Sequence, residues 1–269
     1  MTAVRLLHIT KTFRVFDDAA EYSGKPKDTG EASADSPDRE PGGVFYALRD
    51  VSLDIEAGVC TVITGANGSG KSLLMAVIAG LENPVSGNLD VYGKVGLVFQ
   101  DADSQILGET PREDVEVGIP GGFRFGKKGA AATTDIVEKA LGNVGLLARA
   151  DFPSRFLSGG EKRRLAAAGV LAMNADIIIF DEPYANLDYG GVVQTNTVIR
   201  DLLAKSKTVV ILTHELEKCL AFAQRLAVLH KGQLVFTGSP EEGLRLPLEQ
   251  WGIRHPLRAY ARLEDLLWL

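Results

Sequence analysis

Cysteine is scarce in this chain. Cys60 and Cys219 stand far apart, without the spacing of a disulfide framework. A small disulfide-stapled secreted module is thereby excluded, and two buried thiols in a reducing cytoplasm are expected. Long apolar runs are also lacking. The longest, around 73–79 and 220–229, fall well short of the roughly 20 residues needed to cross a bilayer. No membrane span is expected, and no leader-like stretch with a basic start, an apolar run and a small-residue cleavage site opens the sequence. Basic charge is outnumbered, with 29 Lys and Arg against 35 Asp and Glu, a net of -6. No repeat of fixed period is visible.

The acidity is local. Residues 17–43 hold eight acids (Asp17, Asp18, Glu21, Asp28, Glu31, Asp35, Asp38, Glu40) and three bases (Lys25, Lys27, Arg39), which leaves 27 acids and 26 bases elsewhere. This stretch is rich in Gly, Pro, Ser and Ala and nearly free of apolar side chains, so burial cannot offset the entropy of ordering it. It reads as a disordered surface insertion in a chain that is otherwise rich enough in apolar residues, 45% overall, to build a sizeable core.

Strand-like apolar runs recur at 4–9, 47–55, 60–64, 95–99, 177–180, 209–213 and 225–229, with helical segments among them. That alternation predicts an α/β domain with a largely parallel central sheet. Gly87, Gly93, Gly232 and Gly238 punctuate hairpin-like stretches, which suggests an antiparallel β portion beside it. Residues 101–157 change texture to charged helix formers with a glycine-rich patch at 118–129, and read as a small helical subdomain. A helical tail is expected over 240–269, within one domain spanning 1–269.

Residues 65–72 read Gly-Ala-Asn-Gly-Ser-Gly-Lys-Ser, after an apolar run and before Leu73, Leu74, Val77 and Ile78 at helical spacing. This is a P-loop in its proper context. The backbone N–H groups around Asn67, Gly68, Ser69 and Gly70 can turn inward around phosphates, Lys71 supplies a mobile ammonium, and Ser72 is placed for Mg²⁺. The apolar run 176–180 ends in Asp181-Glu182. Asp181 would hold Mg²⁺, directly or through water, and Glu182 would orient or deprotonate the attacking water.

Residues 157–161, Leu-Ser-Gly-Gly-Glu, precede a helical run over 162–173 and then the acidic pair. With these motifs the chain resembles the ABC ATPases. The resemblance implies a P-loop ABC ATPase that binds ATP and Mg²⁺ and pairs head to tail with a second ATPase subunit, as homodimer or heterodimer. Ser158, Gly159 and Gly160 would close over ATP held by that subunit. It also implies that Gln100 reaches the metal and the attacking water, that Asp188 lies at the dimer seam, and that His214 contacts the γ-phosphate. For the adenine it implies an aromatic near the end of the first strand; Phe13 is the choice, with Phe16 and Tyr46 as rivals.

The stretch from Val95 through Gln100, Asp101, Asp103 and Gln105 to Glu113-Asp114-Val115 is similar to energy-coupling-factor ATPases of the cobalt, biotin and vitamin uptake type. So are Ser239-Pro-Glu-Glu and 251–256 near the end. An integral membrane partner docking near Asp101, Asp103 and Gln105 is then implied, with no nucleic acid, and with the chain peripheral at the cytoplasmic face of the membrane. The runner-up is a soluble ABC ATPase such as an iron-sulfur assembly ATPase, against which the 101–105 segment argues. Three residues depart from the family's pattern: Leu73 where Thr is usual, Ala102 where Pro is common, and Glu161 where Gln is usual.

Overall fold

The computed structural model describes residues 1–14, 39–40, 43–119 and 131–259. A four-stranded antiparallel sheet has the order β2-β3-β1-β5, formed by Arg39–Glu40 (β2), Val44–Glu56 (β3), Thr2–Arg14 (β1) and Ser86–Val91 (β5). A six-stranded sheet has the order β10-β9-β4-β8-β7-β6. Its strands are Gln233–Gly238 (β10), Arg225–His230 (β9), Cys60–Thr64 (β4), Thr208–Leu212 (β8), Ile177–Asp181 (β7) and Val95–Val98 (β6). All its pairs are parallel except β9 with β10.

Every residue of β4, β7 and β8 is buried, which explains why apolar residues dominate them. Period-2 alternation splits them between two cores. Ile177, Ile179, Val210 and Leu212 face one, with β1, β3 and the helix Lys71–Ile78 (α1). Ile178, Phe180, Val209 and Ile211 face the other. That second core takes side chains from Pro111–Gly118 (α2), Ala131–Asn143 (α3), Gly159–Ala172 (α4) and Tyr189–Ala204 (α5). The P-loop helix is thus held between the two sheets, while the remaining long helices cover the opposite face.

Between β6 and α4 the described residues form helices and turns, with α2 and α3 packed on α4. Thr110 caps α2 by accepting from the Glu113 N–H, and Pro111 occupies its first turn. The hallmark helix α4 begins at Gly159, three residues before the helical run expected over 162–173, because Ser158 and Glu161 form a reciprocal capping box. Near the chain end, Pro240–Gly243 (α6) and a 3-10 turn at Leu248–Trp251 supply short helical pieces, and 260–269 lie outside the described residues. Residues 120–130 of the glycine-rich patch and most of the 17–43 insertion also lie outside them. The insertion's far end departs from the expected disorder: Arg39 and Glu40 pair with Phe45 and Val44.

Candidate active site

Four neighbouring parallel strands end together, and the residues following them carry the motifs. β4 leads into the P-loop, β6 into Gln100, β7 ends at Asp181, and β8 leads to Thr213 and His214. Ligands of parallel α/β sheets bind at such carboxyl ends. The open cradle there has a volume of about 340 Å³ and is lined by Phe45, Asn67, the 68–72 backbone, Leu73, Gln100 and Glu182.

Glycine is required at two points of the cradle. Gly70, at the cap of α1, has φ 101°, and a Cβ there would meet the Ala47 carbonyl at 2.8 Å. A Cβ on Gly65 would come within 2.2 Å of the Leu229 carbonyl. No side chain caps α1 and no acid lies in its first turn, so its positive end is left for an anion. The buried Lys71 ammonium donates to the carbonyls of Gly65 at 2.8 Å and Ala66 at 3.2 Å, and sits 3.5 Å from Glu182 Oε1.

Glu182 is buried and has φ 44°, a left-handed backbone that turns it sharply off the end of β7. Its N–H still reaches the Leu212 carbonyl at 2.8 Å. Thr213 Oγ1 donates to Oε2 at 3.1 Å, and His214 Nδ1 lies 3.1 Å from Oε1. One carboxylate is therefore held by an ammonium, a hydroxyl and an imidazole. Burial raises the Asp181 carboxyl above its ordinary value, as does the neighbouring Glu182 charge, while a hydrogen bond from Ser72 opposes the shift. Asp181 Oδ1 and Ser69 Oγ are buried without a hydrogen-bond partner.

Several of the expected residues stand away from the cradle. Phe13 does not line the cradle. Its register partner Phe45 does, while Phe13 lies beneath the Lys11 ammonium, 5.5 Å from the ring centre. Tyr46 is stacked under Arg49 at 4.3 Å, and Phe16 is outside the described residues. Gln105 is turned inward. Its amide accepts from the Phe99 N–H at 3.0 Å and donates to the Leu97 carbonyl at 2.8 Å, closing the free edge of β6 as a neighbouring strand would. Asp103 is ion-paired with Lys162 of α4, and Asp101 accepts from the Asp103 N–H at 3.1 Å.

Ser158, Gly159 and Gly160 are absent from the cradle lining, as is Asp188, whose side chain caps α5 through the Gly191 N–H at 2.7 Å. Sequence reasoning also missed Arg163 of α4, which donates to the carbonyls of both Gln100 and Ala185, and Thr213, whose position directly before His214 was an available signal.

The P-loop, acidic pair and strand-end arrangement define a P-loop ATPase-type site. A profile of the ABC transporter family matches residues 48–185, and the chain belongs to that family. Within it, the chain is similar to energy-coupling factor and cobalt-import ATP-binding proteins. The cobalt import ATP-binding protein CbiO of Rhodobacter capsulatus is 38% identical over 234 residues, covering 81% of this chain and 82% of the relative. The energy-coupling factor transporter ATP-binding protein EcfA2 of Methanospirillum hungatei is 36% identical over 211 residues, 73% of this chain; the chain spans about half, 52%, of that relative. Among solved structures, CbiO1 of Clostridium perfringens shares the fold with a TM-score of 0.70 at 24% identity, covering 95% of this chain and 96% of the other. A dimeric ATP-binding cassette in a post-hydrolysis state, bound to ADP and phosphate, gives 0.71 at 25% identity, covering 88% and 98%.

Proposed function

We propose that this chain binds MgATP, closes head to tail with a second ATPase subunit, and hydrolyses ATP to energise uptake through a separate integral membrane component. The observation that carries the reading is Glu182: a buried carboxylate at a parallel-strand end, 3.5 Å from the P-loop ammonium and 3.1 Å from His214. Phe45 stacks on the adenine, and the N–H groups of Asn67 to Lys71 take the phosphates. As phosphate oxygens draw the Lys71 ammonium away, the Glu182 carboxylate is freed from its cation to orient the attacking water. His214 and Thr213 keep it in place.

The residues fit a magnesium ion. Asp181 presents an unpartnered buried oxygen beside Ser72, both hard oxygen donors, and among the described residues no group of three or more His, Cys, Asp or Glu could hold a metal. A site that shares its ion with substrate phosphates needs no more than one or two carboxylates. Ser72, Asp181 and Gln100 would hold it, and it would neutralise phosphate charge.

Ser158 to Gly160 lie outside the chain's own cradle, and in this reading they serve the second subunit's nucleotide. For the membrane component, two grooves flank the segment after Gln100. One, about 300 Å³, is lined by Asp103, Arg155 and Lys162; the other, about 340 Å³, is mostly apolar and lined by Leu97, Phe99, Leu107, Val117 and Met173. Among the described residues no helix is long and apolar enough to cross a membrane, which suits a peripheral subunit at the cytoplasmic face. The names of the relatives favour this reading over a soluble ABC ATPase.

Phosphate release from ATP with Mg²⁺ tests the chemistry. Glu182→Gln should lower turnover at least about a hundredfold, and MgATP should then trap a dimer detectable by light scattering. Unchanged turnover removes Glu182 from the base role. Asp103→Lys, which breaks the pair with Lys162, should weaken copurification with the membrane component. Normal assembly would place docking elsewhere.

A further inference from the structure

Tyr184 follows Glu182 by two residues and is wholly buried. A core aromatic at such a place needs no hydroxyl, since a buried phenol must find partners that a phenyl ring does not require. Here the hydroxyl is fully used. It donates to Asn196 Oδ1 of α5 at 2.8 Å, and Asn196 Nδ2 donates in turn to the Lys218 carbonyl at 3.0 Å. The carbonyl can only accept, so the Asn196 amide orientation is fixed by its partners. Burial also pushes the phenol far above its ordinary pKa, which keeps the hydroxyl a donor.

The chain of bonds connects two segments that no longer belong to a ladder. β7 and β8 run in register up to Asp181 and Leu212, and the Glu182 N–H to Leu212 carbonyl bond is the last backbone contact between them. Beyond it, the chain after β7 carries Glu182 and Tyr184. The chain after β8 carries His214 and then the 3-10 turn Leu216–Lys218. Tyr184 to Asn196 to Lys218 ties these two segments together again, through the helix that Asp188 caps. The Lys218 ammonium, 6.0 Å over the Tyr184 ring and paired with Glu215, adds a second tie to the same turn. The 3.1 Å contact of His214 with Glu182 is made by the same two segments.

We propose that Tyr184 and Asn196 are positioning residues for hydrolysis: their hydrogen-bonded bridge to the turn after His214 sets that histidine against Glu182. The inference rests on the roles given above to His214 and Glu182. Neither Tyr184 nor Asn196 lines the cradle, so the bridge acts on turnover and not on nucleotide affinity.

A double-mutant cycle on the purified full chain tests this. Tyr184→Phe keeps the ring and removes the bridge, and is expected to lower kcat about tenfold, a change of modest size for a misplaced catalytic contact, with KM for ATP unchanged. Asn196→Ala should do the same. In a His214→Ala background, Tyr184→Phe should produce no further loss, because the residue it positions is gone. Equal loss in both backgrounds, or a rise in KM with kcat preserved, would overturn the inference and leave the proposed function standing. If His214→Ala itself leaves hydrolysis unaltered, the histidine's role fails, and the bridge's role fails with it. Thermal melts of each variant separate a folding defect from a kinetic one, and a fall in kcat matched by an early melt in both Tyr184→Phe and Asn196→Ala counts against positioning.

Discussion

Phe13 and Phe45 are register partners across β1 and β3, yet they do different things. Phe45 stands at the mouth of the cradle with Asn67 and Gly68, and its strand is held on the far side by β2, where Arg39 is its partner. Phe13 is exposed and lies 5.5 Å from the Lys11 ammonium, itself fixed to Glu82 at 2.7 Å.

Phe45→Ala is therefore expected to weaken ATP binding by about 1–3 kcal/mol, the range for a lost aromatic stack on a base. Phe13→Ala should leave affinity within about twofold, a difference below half a kcal/mol. Calorimetric titration of the two variants decides between them.

Asp181 sets a pH signature in the nucleotide-free protein. Its folded-state pKa is raised above 3.8, chiefly by burial, so the native state holds the proton more tightly than the unfolded chain. Its contribution to stability thus falls as pH climbs from 3.8 through the raised value. Asp181→Asn should flatten that part of the melting-temperature profile and raise the neutral-pH melt of the nucleotide-free chain. The extra stability that Mg²⁺ confers with ATP should be lost. Stability and activity are opposed at this position.

Leu73, where a hydroxyl is usual in the family, packs partly buried against the core beneath α1 and also lines the cradle. Leu73→Thr should tighten nucleotide binding by about 1 kcal/mol through a new hydrogen bond. It should also cost the free protein about 1 kcal/mol of apolar burial. Titration and melting experiments should move in opposite directions; weaker binding would mean that the hydroxyl does not reach the nucleotide.

Glu161 replaces the usual glutamine and is held below its ordinary pKa of 4.5, first by the Ser158 N–H and then by nearby arginines. The stabilisation it gives is present above 4.5 and lost as pH falls through the lowered value. Glu161→Gln keeps the capping geometry and removes the charge, so it should cost about 0.3–1 kcal/mol at neutral pH, the worth of an acid in a helix's first turn. The wild-type and variant melts should converge in acid.

The strands β4, β7 and β8 were legible in the sequence because burial on both faces makes their text predominantly apolar. β1 and β3 run further than their apolar segments, since polar residues such as Lys11 and Thr12 are paired there although one face is wet. The P-loop, Asp181 and Glu182 were readable because each directly follows or ends a legible strand, and His214 was found through the resemblance to the ABC ATPases, just beyond another such strand. Phe45 was not, because it reaches the cradle through a cross-strand pairing that bridges a long insertion. Gln105 was read as part of a docking segment, while its amide does the work of a missing strand at the β6 edge. The start of α4 was within reach: Ser158 followed three residues later by Glu161 is a capping signature.

The cap on α4 has one further consequence. Ser158 Oγ accepts the Glu161 N–H at 3.3 Å, so a lone pair of that oxygen is committed to the chain's own backbone. The neighbouring Gly159 offers no side chain to obstruct it, and a Cβ there would meet nothing within 4 Å. The helix cap thus pre-sets the place of the hydroxyl that, under the proposed function, would meet the second subunit's phosphate.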